Sequence, residues 1–463
     1  MNCKFIFISV LFFAMNFVFA QVRDSIRIRG EFLDNTRYTN AVLVAFGSEE
    51  KIVLQRPITQ GFCNMALPAG FPPGVYRLVY SQSEASAYID LILTGVEPLV
   101  SFSLNAAKKE TLAFTESDSN KKWYQYLLAS VERLLKIEML SEFWMNYPDR
   151  KDKILASVKS GIDKEKARYQ SGFQAFAKEN KGTWQGDMVA NRPFYFASLT
   201  DPPVLQDYER RNHYWDHIDT SNERLLQSPL YSDHILNYLR YYMNPEMHFS
   251  EQEMEEGFKK SSDTIMARFG ANQKTQKFAL QYLTRGFKEI GQEKVLQHID
   301  QKYAPIALQC PDDHQKAAFE QRLASYELLK PGVQAPEIEW YNKDGAVKNL
   351  TDIAADKVLV VFWASWCTHC RQMMPDLNEF ALKNPDIKVL AVSLDDDQDA
   401  FLQFSREYGN MLHFCDFKKW SSDPAVKYNI AATPSFFLLD KERRIIDKYA
   451  SFEAFSSALA KIQ

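Results

Sequence analysis

The sequence predicts a multidomain protein: a small antiparallel β-domain, an all-α middle domain and a C-terminal α/β domain. Three observations predict it. The chain has 463 residues, room for roughly three domains at about 150 residues each. Its hydrophobic pattern changes period twice, from short alternating runs to long helical stretches and then to strand-like and helix-like segments in alternation. Between the last two regions lies a punctuated linker, Lys330-Pro331-Gly332 followed by Ala335-Pro336. The 55 basic and 59 acidic residues leave a formal net charge of -4, so electrostatics calls for neither nucleic acid nor an anionic membrane surface as partner.

Residues 1–20 read as a signal peptide. Lys4 precedes an apolar run from Phe5 to Phe19, and Val18-Phe19-Ala20 offers acceptable small residues for cleavage after Ala20. Interrupted by Ser9 and Asn16, the run is shorter than the ~20 residues of a bilayer span; an uncleaved anchor is the alternative. No later segment reads as a transmembrane helix. The expectation is an exported protein, soluble after cleavage, in the periplasm or cell envelope, where disulfides persist. Cys3 leaves with the peptide and precedes the apolar run, which is the wrong place for a lipid-modified terminus.

Residues 21–115 read as a β-sandwich-like domain. Ile26-Arg27-Ile28-Arg29, Ala41 to Phe46, Val75 to Tyr80 and Tyr88 to Thr94 are short apolar or alternating runs, punctuated by Gly30, Gly47, Gly70, Pro72-Pro73-Gly74 and Gly95. Period-two alternation implies a sheet with one face buried and one wet. Residues 116–326 read as a helical domain, with Trp123, Leu127, Leu128, Val131, Leu134, Leu135 and Met139 as the apolar face of one helix. In His213-Tyr214-Trp215-Asp216-His217 two histidines stand four apart, on one face if the segment is helical. A structural zinc usually needs four ligands, and no Cys or third His is near in sequence, so packing is the preferred reading.

Residues 327–463 read as α/β. Asn342-Lys343-Asp344-Gly345 signals a hairpin turn. The apolar run Val358 to Phe362 reads as a buried strand and Arg371-Gln372-Met373-Met374 as the start of a helix. Then follow a strand (387–393), a helix (about 399–408), a short helix (423–428), two strands (436–439 and 445–449) and a closing helix (452–462), which favours a parallel or mixed sheet with helices on both faces. Asp395-Asp396-Asp397, ahead of a helix, read as capping residues rather than a metal site.

Between the buried strand and its helix lies Trp363-Ala364-Ser365-Trp366-Cys367-Thr368-His369-Cys370. A cysteine at a helix start faces unpaired N–H groups and the positive end of the helix dipole, which favour its thiolate. That context points to thiol–disulfide exchange. Half of a zinc site is a rival, but it needs two further ligands, and only His413 and Cys415 offer themselves, at an unconvincing spacing; a vestigial structural disulfide is another. Of the other cysteines, Cys415 reads as a buried thiol, and Cys63 and Cys310 as unpaired in preference to bridged, because spacing alone does not establish a bridge.

Residues 331–463 resemble the extracytoplasmic thioredoxin-like proteins of the TlpA/ResA type. The resemblance rests on Gly332 with Ala335-Pro336, on Phe362 to Cys367, on Pro375, and on Ala432-Thr433-Pro434 followed by Ser435-Phe436-Phe437. It implies a thioredoxin fold and a cis Pro434 beside the cysteines, where the backbone of Thr433 pairs with an extended substrate. It implies no cofactor. The expected clients are disulfide-bearing envelope proteins, and the expected electron donor is a membrane or periplasmic thiol. The upstream regions more loosely resemble the β and helical domains that precede such modules in Gram-negative envelope proteins, through 213–219, Glu223-Arg224-Leu225-Leu226 and Ser228-Pro229.

Two departures stand out. Thioredoxins carry a buried acid six residues before the first cysteine, where this chain has Val361, and ResA-like proteins carry one three residues after the second, where it has Met373. Asp376, Glu337 and Glu339 are acids near the motif in sequence. Cys367 is the expected nucleophile and Cys370 the resolving cysteine. His369, Trp366 and Thr368 are expected to modulate them, His369 by favouring the thiolate and making the couple more oxidising. The expected function is an exported thiol–disulfide oxidoreductase reducing envelope disulfides. The alternatives are a client-binding protein with an accessory thioredoxin module, and a net disulfide oxidase or isomerase.

Overall fold

The computed structural model describes residues 26–34, 38–81, 87–192, 194–243, 249–308, 313–341, 347–430, 432–449 and 451–462. The signal segment, Cys3, Cys310 and the turn 342–345 lie outside the described residues. The chain sorts into two compact units. One holds residues 1–218 and 224–230, the other 219–223 and 231–463, so the helical region contributes to both.

The first unit begins with eight strands, β1 (Ile26–Phe32), β2 (Asn40–Ala45), β3 (Lys51–Pro57), β4 (Phe62–Leu67), β5 (Gly74–Val79), β6 (Tyr88–Leu93), β7 (Leu99–Asn105) and β8 (Lys108–Glu116). They form two four-stranded sheets, ordered β4-β1-β7-β8 and β3-β2-β5-β6. Side chains of both sheets, among them Ile28, Leu43, Leu78, Leu91, Val100 and Leu104, share one core. In β1 the alternation read from the sequence holds: Ile26, Ile28 and Phe32 are buried, Arg27, Arg29 and Glu31 exposed. Gly30 is required, since a Cβ there would stand 2.5 Å from the Phe102 ring. One pairing departs from the expected antiparallel pattern. β1 and β7 run parallel, because the chain between them is long enough to cross to the other sheet and return in the same direction, which a hairpin cannot do.

Four helices complete this unit: α1 (Asp118–Asn146), α2 (Ile154–Glu179), α3 (Trp184–Ala190) and α4 (Pro203–Asn212). Asn120, fully buried at the start of α1, donates to Ile92 O and accepts from Ile92 N, each at 2.8 Å, and so ties the helix to β6. The helix lies where the periodicity puts it, but of the apolar face read from the sequence only Trp123 is buried. Trp123, Ser130, Ile137, Ser141 and Trp144 are buried, whereas Leu128, Val131, Leu135 and Met139 are exposed. His213 caps the C-terminus of α4, and residues 213–217 form turns instead of helix. The His213 ring stacks on Tyr195 at 4.3 Å and the His217 ring on Phe194 at 4.6 Å.

The second unit contains α5 (Leu230–Arg240), α6 (Glu251–Arg268), α7 (Gln273–Glu289), α8 (Glu293–Ala307) and α9 (Asp313–Leu328). A partly buried ion pair joins the last two, Arg322 donating to the buried Asp300 through Nε at 2.5 Å and Nη2 at 2.9 Å, with the Tyr326 hydroxyl donating to Asp300 at 2.6 Å. Then come β9 (Glu339–Tyr341), β10 (Val347–Asn349), β11 (Lys357–Trp363), α10 (Thr368–Lys383), β12 (Ile387–Ser393), α11 (Gln398–Glu407), β13 (Leu412–Cys415), α12 (Asp423–Lys427), β14 (Ser435–Leu439), β15 (Ile445–Tyr449) and α13 (Phe452–Ile462). β9 and β10 pair antiparallel. The main sheet has the order β13-β12-β11-β14-β15; β11, β12 and β13 run parallel, β14 and β15 antiparallel to their neighbours. β13 has no counterpart in the sequence reading, since four residues carry too little periodicity. Cys415 on it is partly exposed, not buried as expected. Among the described residues no helix is long and apolar enough to cross a membrane.

Candidate active site

Val358 to Trp363 in β11 are fully buried, as befits a strand flanked by β12 and β14. The chain leaves the sheet through Ala364-Ser365-Trp366 and enters α10 at Cys367, the N-cap, with φ -81° and ψ 113°. Cys367 and Cys370 are joined as a disulfide with their Cα atoms 5.2 Å apart. Cys367 is 9% exposed and Cys370 0%. The Cys370 N–H donates to Cys367 Sγ at 3.2 Å. One of the unpaired donors at the helix start is thereby directed at the first sulfur.

The antiparallel register of β11 and β14 sets Phe362 opposite Ser435, which carries Thr433 and Pro434 to the cysteines. Thr433 O lies 3.4 Å from Cys367 Sγ, and the Thr433–Pro434 bond is cis. Both residues are partly exposed, so the backbone edge beside Cys367 is open to an incoming chain. Thr368 and His369 are exposed in the first turn of α10, and Trp366 is 48% exposed. All seven site residues read from the sequence therefore surround one point on the surface of this unit.

Val361 and Met373 are buried as apolar side chains, so no carboxylate occupies either position. The acids close in sequence are engaged or turned away. Glu337 Oε1 accepts from Leu350 N at 2.5 Å, and Asp376 and Glu339 are exposed. The carboxylate that does reach the active-site segment is Asp395, which is fully buried. It accepts from Ser365 N at 3.0 Å, Ser365 Oγ at 2.7 Å and Ser393 Oγ at 2.6 Å. The expectation that the three aspartates cap the next helix holds only for Asp397, whose Oδ1 accepts from Asp399 N and Ala400 N. Asp396 pairs with Lys419 at 2.6 Å. The sheet explains the division of labour. The parallel register aligns Trp363 with Ser393 and Ser393 with Cys415, so the segments after all three strands emerge at one edge, the edge where sites form in such sheets. Seen without the pairing, the aspartates resemble nothing but a cap.

The two other described thiols, Cys63 and Cys415, are poorly suited to attack. Burial pushes Cys63 up to about 11, and burial also raises Cys415. His413, one of the two zinc candidates, is occupied by Tyr408 O, to which its Nε2 donates at 2.8 Å. Among the described residues no cluster of His, Cys, Asp and Glu suited to a metal ion is present.

Comparison with known proteins agrees with the geometry. A family model described as thioredoxin-like matches residues 355–445. Thiol-disulfide oxidoreductase ResA of Bacillus cereus is 26% identical over 127 residues, 27% of this chain and 72% of the relative. A thiol:disulfide interchange protein DsbE homolog of Paracoccus denitrificans is 35% identical over 96 residues, 20% of this chain and 49% of the relative. A solved thioredoxin-like protein from Bacteroides caccae is 16% identical, covering 59% of this chain and 99% of its own, with a TM-score of 0.42. With its buried central strand, its cysteine pair at a helix start and its likeness to ResA and the DsbE homolog, the C-terminal domain is thioredoxin-like and similar to the proteins of the TlpA/ResA type, and the chain is a thiol–disulfide oxidoreductase.

Proposed function

We propose that the chain is an exported oxidoreductase that reduces disulfides of envelope proteins, with Cys367 as nucleophile and Cys370 as resolving cysteine. The observation that carries the role assignment is access. Cys367, 9% exposed at the helix N-cap, receives the Cys370 N–H on its sulfur, whereas Cys370 is 0% exposed. In the reduced protein the Cys367 thiolate attacks a client disulfide. A bond forms between Cys367 and one client sulfur, and the other leaves as a thiolate that takes up a proton. Cys370 then loses its proton and attacks Cys367 Sγ, releasing the second client thiol. Two electrons pass to the client, and the protein is left as the Cys367–Cys370 disulfide. A thiol donor of the membrane or periplasm restores the dithiol by the reverse exchange. Thr433 supports the reading as a backbone ledge for an extended client segment.

The test is trapping on the full chain. Cys370→Ser is expected to accumulate clients as mixed disulfides on Cys367, released by dithiothreitol, and Cys367→Ser to accumulate none. Equal adducts on both variants would overturn the assignment of the nucleophile.

A further inference from the structure

The segment 416–420, between β13 and α12, has a backbone its residues do not prefer. Phe417 has φ 59° and Lys419 φ 51°, left-handed values that are uncommon for residues with a Cβ. Both strained residues are anchored. The Phe417 ring meets Phe401 of α11 edge-on at 5.8 Å, and Lys419 Nζ pairs with Asp396 at 2.6 Å. What the anchors present is Trp420, 42% exposed, its ring centroid 6.1 Å from that of Trp366, which is 48% exposed. Two large aromatic side chains thus lie together on the surface, one of them adjacent in sequence to the exposed-side cysteine. Neighbouring aspartates hold the two sides in place: Asp395 fixes Ser365, just before Trp366, and Asp396 fixes Lys419, just before Trp420.

We propose that Trp420 extends the client-binding surface beyond Trp366 and selects clients with a bulky apolar or aromatic side chain close in sequence to the attacked cysteine. The proposal rests on the oxidoreductase reading above. The occupant follows from the chemistry. Any polypeptide disulfide that reaches Cys367 Sγ brings its flanking residues onto whatever borders that sulfur, and on the Trp366 side the border is this aromatic pair. Lys419 is neutralised by Asp396, so the pair favours an apolar neighbour over an acidic one. Strain clusters where a structure must hold a side chain in a functional position, and here two strained residues frame one exposed tryptophan. Trp420 touches the client and not the reacting sulfurs, so it is a specificity residue.

The test uses the full chain, reduced with dithiothreitol and freed of it, and follows single-turnover oxidation by three probes. They are a disulfide-cyclised peptide with leucine beside each cysteine, the same peptide with serine there, and bis(2-hydroxyethyl) disulfide as a reference too small to span both rings. The leucine peptide is expected to react faster than the serine peptide, each rate being divided by the reference rate of the same variant. Trp420→Ala is expected to cut that preference by about tenfold, the size of a lost aromatic contact, and Trp420→Phe to keep most of it. An undiminished preference in Trp420→Ala, or a fall equal for both peptides, would overturn the role of Trp420. No Cys367-dependent reaction of the unmodified chain with any probe would instead overturn the oxidoreductase reading itself.

Discussion

Exposure separates the two cysteines: Cys367 can be approached and Cys370 cannot. On the proposed reading a client disulfide meets Cys367 first, beside Trp366, Thr433 and Pro434. His369, exposed one residue before Cys370, stands where thioredoxin has proline and DsbA has histidine. Their potentials differ by about 150 mV, near 7 kcal/mol for two electrons. His369→Pro is expected to lower the reduction potential by some tens of millivolts, a fraction of that gap; equilibration against glutathione would read it, and an unchanged or higher value would remove His369 from the argument. His413 acts in another way. Burial lowers its pKa against the opposing pull of the Tyr408 carbonyl, so below about pH 6.5 the unfolded chain takes up the proton first. Stability from the neutral ring is complete above that pH and is lost as pH falls through the depressed folded value. Denaturant melts at pH 7 and pH 5 should show a smaller loss for His413→Gln than for the unmodified chain.

Among the elements, the three parallel strands β11, β12 and β13 do most to build the site, because parallel strands end at a common edge. The cysteine motif was legible because its chemistry is local: four consecutive residues carry the sulfurs and the helix start. Trp420 and Asp395 were not legible, since each matters only through a neighbour that strand pairing supplies. Helix α1 shows the same limit. Its helical period is legible over Trp123 to Met139, but the helix runs from Asp118 to Asn146, and Leu128, Val131, Leu134, Leu135 and Met139 lie exposed, because the period alone does not say which stripe of the helix meets its neighbours. Ile137→Ala, in the cluster with Trp144, Leu155, Ile162 and Tyr169, is expected to cost about 2–5 kcal/mol. Leu135→Ala, two residues away and half-exposed, is expected to change stability by less than ~0.5 kcal/mol. Urea melts of the two variants decide which face is buried.

Taken together, the chain joins a β-sandwich and helices to a thioredoxin-like domain, and its contacts divide the helical region between two units. Export is an expectation drawn from residues 1–20, and it places the cysteines among disulfide-bearing partners. N-terminal sequencing of the protein recovered from the envelope of an expressing Gram-negative host is expected to begin at Gln21; retention of Met1 in the membrane fraction would favour the uncleaved anchor. Residue order alone sufficed for the class of each region, the sulfur chemistry and the pairing of Cys367 with Cys370, because these depend on neighbours within about one helical turn. The parallel β1–β7 pair, the inward face of α1, the separate duties of Asp395, Asp396 and Asp397, and the meeting of Trp366 with Trp420 were decided by folding. Each joins residues distant in sequence, and strand register and packing, which no local pattern encodes, bring them together.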